Sequence, residues 1–86
     1  MPARYQALMT ASQLGQVLQA SRRSGKLSQA ELAARVGVSQ SRVSHLEHHP
    51  EALSVEQLMA WCAALGLELA LGPKGTDAVA EPRADW

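Results

Sequence analysis

Gln40, Ser41, Arg42, Ser44 and His45 place an amide, two hydroxyls, a guanidinium and an imidazole within six consecutive positions. Such groups recognise a partner by hydrogen bonding rather than by making bonds. At roughly 100° per residue, Ser41, Ser44, His45 and His48 fall opposite Val43 and Leu46, which predicts a slim polar face turned away from an apolar one. The sequence gives no sign of catalysis: it has no paired carboxylates in a plausible pocket, no Cys/His couple, no phosphate-binding glycine loop, and too small a core for a cleft. His45, His48 and His49 have no cysteine or carboxylate cluster to complete a metal site, so a solvated or phosphate-facing role is expected and no cofactor is.

The stretch that must position this face is Leu27 to His48. Ser28 followed three residues later by Glu31 is a capping box, which predicts a helix from Gln29 with Leu32, Ala33 and Val36 on one side. Gly37 can take the left-handed conformation that ends a helix, Val38 can tuck into the core, and Ser39 can cap the next helix at once. Ala33 is small enough to let the two helices approach closely. Two short helices across so tight a turn predict a helix-turn-helix.

The run SQAELAARVGVSQSRVSHLE resembles the helix-turn-helix of phage-repressor and Cro-type DNA-binding proteins. The resemblance implies that the second helix lies in the major groove of operator DNA while the first crosses the phosphate backbone. Gln40, Ser41, Arg42, Ser44 and His45 would be the readers, with Ser39 at their cap, and Lys26, Ser28 and Arg35 would contact phosphates. Gln29 matches the family's glutamine that braces the reading glutamine and meets a phosphate. Arg22 and Glu47 match a pair that forms a structural clamp when buried.

With 86 residues and 47% hydrophobic content, the chain is expected to form one small domain whose core is marginal alone, so oligomerisation should help. With no Phe, one Tyr and two Trp, that core must use Leu, Val and Ala, which predicts an all-α fold of four to five helices. The lone Cys62 excludes an internal disulfide, suits a reduced cytoplasmic setting and is expected in the core. No membrane span is apparent, and Met1 to Leu14 lacks the features of a signal peptide. The net charge is zero, but residues 1–49 hold six cations against two glutamates, or +4, and residues 50–86 hold two cations against six carboxylates, or −4. The positive half contains the polar face, where phosphate attraction and a place on the nucleoid would require it.

Residues 1–9 read as a loose arm that Tyr5 or Leu8 could pin down; a single basic residue, Arg4, argues against a minor-groove arm. The domain proper is expected over residues 10–71. Thr10 with Gln13 forms a capping box for a helix that carries Leu14, Val17 and Leu18, runs to about Ser24 and is ended by Gly25. After an exit loop at His49 to Ala52, Ser54 with Gln57 opens a helix with Leu58, Trp61, Cys62 and Leu65 inward and Gly66 at its close. Trp61 is read as a core or dimer-interface anchor. Leu67, Leu69 and Leu71 alternate with polar or small residues, which predicts a short C-terminal β-strand at 67–71 that pairs with its mate across a homodimer. Residues 72–86 read as a disordered tail carrying Trp86.

A narrower resemblance covers most of the chain. TASQLGQVLQASRRSGKLSQAEL, ALSVEQL, ALGLELAL and the C-terminal Trp86 are similar to the HipB-like antitoxins. That resemblance implies a dimer formed through the C-terminal strand, repression of its own operon, and capture of a HipA-type serine/threonine kinase toxin with Trp86 as the toxin-binding residue. The alternative is a stand-alone Cro-type repressor with no toxin partner.

Overall fold

A computed structural model of the protein describes residues 5–74. Four α-helices, α1 Ala11–Ser24, α2 Gln29–Val36, α3 Gln40–His48 and α4 Val55–Leu65, follow one another, with a single 3-10 turn at Pro50–Ala52 between α3 and α4. Each start is chemically marked. The hydroxyls of Thr10, Ser28, Ser39 and Ser54 each accept a backbone N–H three residues on, and Gln13, Glu31 and Gln57 return the bond in three of the four caps. These bonds satisfy amide groups that a helix start otherwise leaves without partners.

The helix ends follow the sequence with one exception. Gly37 is left-handed at φ 78°, and its N–H and that of Val38 both donate to the Ala33 carbonyl, turning the chain from α2 into α3 within three residues. At the end of α1, Gly25 has an ordinary φ of −83°, and the left-handed residue is Lys26 at φ 59°. The Lys26 N–H reaches the Arg23 carbonyl and the Leu27 N–H reaches the Arg22 carbonyl, so the terminating turn is set one residue later than glycine placement suggests.

Leu18, Leu32, Ala33, Val43, Leu46 and Trp61 form the core, one or two from each helix, with Leu14, Val36, Val38, Leu53, Leu58, Leu65 and Leu67 packed around them. Full burial of such a side chain is worth roughly 1.5–3 kcal/mol before chain entropy is charged against it. Trp61 is 1% exposed within the single chain. Of the two roles read for it, core anchor and dimer contact, this burial fits the first: the indole fills the centre of its own domain and has almost no surface left for a second copy.

The segment 67–71, expected as a β-strand, leaves α4 without helical or strand structure among the described residues, since a ladder needs a second strand alongside it and the described chain places none there. Leu67 packs on the core, whereas Leu69 and Leu71 are exposed. The N-terminal arm lies beside this segment, held by a 2.7 Å hydrogen bond from the Tyr5 hydroxyl to Glu68 Oε1. That bond, chiefly, raises the Tyr5 pKa above the usual phenol value. Residues 1–4 and 75–86, with Arg4 and Trp86, lie outside the described residues.

Candidate nucleic-acid interface

The site begins with what α3 buries. Val43 and Leu46 are wholly inside, and Glu47, one residue further round, is 6% exposed. A carboxylate so placed must be fully bonded or it destabilises the fold. It is bonded three ways. Arg22 Nε donates to Glu47 Oε2 at 2.6 Å, Arg22 Nη2 to Oε1 at 3.3 Å, and Gln29 Nε2 to Oε1 at 3.0 Å. The remaining guanidinium nitrogen, Nη1, donates to the Leu27 carbonyl at 2.9 Å, so the Arg22 fork ties α1 both to α3 and to the turn before α2.

Gly15 permits this closeness. A Cβ on it would lie 2.7 Å from the Glu47 carbonyl oxygen, closer than carbon can approach, and 3.0 Å from Pro50 Cγ, a tight contact. The first helix therefore lies directly against the end of α3 and the turn that follows.

With its back fixed, α3 offers the opposite face. Gln40, Ser41, Arg42, His45 and His48 are exposed and Ser44 is half-buried. The side chains of Gln40 and Arg42 make no hydrogen bond among the described residues, which leaves one amide and one guanidinium free to bind a ligand. The Ser39 hydroxyl is engaged as a cap by the Arg42 N–H at 3.1 Å and lies 3.2 Å from the Ser41 hydroxyl. Towards the other end, His48 Nδ1 sits 2.9 Å from the Ser44 carbonyl, the His45 and His49 rings lie 4.8 Å apart, and His49 Nδ1 is 3.4 Å from Glu51. Among the described residues no three histidine, cysteine or acidic side chains gather to hold a metal ion, and no helix is long and apolar enough to cross a membrane.

The flanking residues divide. Lys26 is exposed at the turn between α1 and α2, and Ser28 begins α2 with its oxygen already accepting the Glu31 N–H, though the hydroxyl proton remains available to a phosphate. Glu31 completes that cap from the Ser28 N–H, and the bond holds its carboxyl below the usual range. Arg35 points elsewhere. Its Nη1 lies 3.5 Å from the Ala64 carbonyl at the end of α4, away from the α1–α2 turn. Gln29, expected to brace Gln40 and to meet a phosphate, gives its amide nitrogen to Glu47 instead of Gln40, with no bond to Gln40 among the described residues. Neither that bond nor the Gly15 contact has a local sequence signal except an otherwise unexplained glycine inside α1. The Cys62 thiol is buried in the core, which pushes its pKa up.

A polar helix face with unengaged side chains, locked from behind and joined through a tight glycine turn to a second helix, defines a DNA-binding helix-turn-helix domain. The chain belongs to the helix-turn-helix family, whose model matches residues 18–71. It is 41% identical over 59 residues to an uncharacterized HTH-type transcriptional regulator of Sinorhizobium fredii, a match that takes in 69% of this chain and 30% of that relative's length. Among solved structures, a chain of a HipB–O2 20mer complex superposes with a TM-score of 0.75 at 24% identity, covering 83% of this chain and 99% of that one. A chain of a HipA-HipB-O2-O3 complex gives 0.74 at 23% identity, covering 81% and 99%. At such identities the likeness establishes a shared fold.

Proposed function

We propose that the protein is a sequence-specific DNA-binding antitoxin that represses its own operon as a homodimer and holds a HipA-like serine/threonine kinase toxin. The observation that carries the DNA-binding part is the free pair Gln40 and Arg42 on a helix whose rear is fixed by Arg22, Glu47 and Gln29. Ser39, Ser41, Ser44 and His45 complete the reading surface, and Lys26 and Ser28 meet phosphates at its edge. Support for the toxin comes from the fold shared with HipB over nearly its whole length, together with the resemblance of the outer segments. Dimerisation through Leu67, Leu69 and Leu71 is part of the same reading, and Trp86 is its toxin anchor.

The test is binding to the promoter of the protein's own gene over a range of salt. Gln40→Ala is expected to cost about 1–3 kcal/mol if it reads a base, whereas Arg42→Ala, if it meets a phosphate, weakens all sequences alike and lowers the salt slope by about one. Parental affinity in both variants would overturn the assignment of α3. Calorimetry against the kinase-like product of the neighbouring gene tests the toxin half: loss of Trp86 should cost at least about 1 kcal/mol there and nothing on DNA. A second reading, a regulator without a toxin, is favoured by the name of the Sinorhizobium relative, and a gene neighbourhood holding no kinase would select it.

A further inference from the structure

Large apolar side chains at the surface are unevenly placed. Of the six that stand exposed among the described residues, Leu8, Met9, Leu69 and Leu71 all line one cleft of about 750 Å³ between the N-terminal arm, α1 and the segment after α4. The other two, Val55 and Met59, lie on α4. Met9 is 67% and Leu71 79% exposed, so the cleft is open along the chain segment proposed to pair with its mate. The backbone N–H groups of Glu68, Leu69, Ala70 and Leu71 make no hydrogen bond among the described residues, as an edge awaiting a second strand would have it.

Pairing two 67–71 segments about a two-fold axis satisfies those groups but leaves a two-stranded ribbon with leucines standing on its face. Such a ribbon is marginal in water unless that face is covered. What lies beside it is the arm. Tyr5 is hydrogen-bonded to Glu68, and Leu8 and Met9 form the facing wall of the cleft.

We propose that the N-terminal arm is part of the dimer interface, with Leu8 and Met9 of each protomer closing over the leucines of the second copy's 67–71 segment. The inference rests on the dimer reading above and adds a residue set to it. The occupant is a second copy of this chain because the open backbone edge and the apolar wall are continuous, and only an extended apolar segment satisfies both at once. The arm then acts between protomers instead of in the minor groove of DNA.

Sedimentation equilibrium of the full chain tests this with Leu8→Asp/Met9→Asp, with Leu69→Asp, and with Val55→Asp/Met59→Asp as a surface control, each checked for an unchanged helical spectrum. The arm variant and Leu69→Asp should each raise the dimer dissociation constant about tenfold or more, while the α4 control stays at the parental value. Tyr5→Phe should raise it by a smaller factor. If Leu69→Asp breaks the dimer and the arm variant leaves it intact, the arm proposal falls and the dimer reading stands. A parent chain that is monomeric throughout overturns both. Intact self-association combined with lost binding to the neighbouring kinase would assign the cleft to a protein partner and overturn the proposal.

Discussion

Arg22 meets three acceptors and Glu47 three donors, and the two residues are almost wholly enclosed. Removing one end of such a pair leaves the other buried without compensation, so Arg22→Ala and Glu47→Ala should each destabilise by about 3–5 kcal/mol in urea unfolding. Arg22→Lys should recover little, because an ammonium cannot span both carboxylate oxygens and the Leu27 carbonyl. Glu31 gives a pH effect whose sign follows from its bonds. Its carboxyl titrates below the usual range in the folded chain, so its contribution is present above that range and is lost as pH falls through it. Thermal melts between about pH 5 and about pH 3 should show Glu31→Gln losing less stability than the parent over that window, since an amide oxygen can still accept the Ser28 N–H.

The contact of α1 with the end of α3 can be tested through one carbon atom. Elsewhere in a helix, glycine to alanine stabilises by about 1 kcal/mol. At Gly15 the added carbon meets the Glu47 carbonyl and Pro50, so Gly15→Ala should destabilise by about 1–3 kcal/mol net in the same assay. Gly25→Ala is the control: its Cβ meets only ordinary contacts and its φ is negative, so no comparable loss is expected. Helix starts and most ends were legible because Ser or Thr with Glu or Gln at a spacing of three writes its own bonds into neighbouring positions. The left-handed Lys26 was not, since the turn it occupies is set by where α2 must begin. The family resemblance pairs Gln29 with Gln40, but its bond reaches a residue 18 positions away, and no local pattern encodes that. The alternation at 67–71 reads as a strand, but alternation encodes only which side chains share a face, and among the described residues the segment has no strand structure.

At the scale of the whole molecule, charge and architecture agree: the +4 half carries the exposed face of α3, and the −4 half lies beyond it in sequence. The core by itself says little about how α3 is turned, because Val43 and Leu46 are smooth aliphatic side chains against other aliphatic side chains. Arg22, Glu47 and Gln29 supply direction, as a key fixes a shaft that a round bore would let spin. One residue of rotation swings the outward face by about 100°, enough to carry Gln40 and Arg42 off any base edge they address. Replacing the key with apolar side chains of similar volume, Arg22→Met with Glu47→Leu, should therefore leave unfolding free energy near or above the parental value. Its cost should appear as a narrowed gap between operator and random DNA in competition binding. An undiminished gap would mean that packing alone sets the azimuth of α3. A widened tolerance for sequence in a protein that melts no earlier would show that the buried charges hold aim rather than stability.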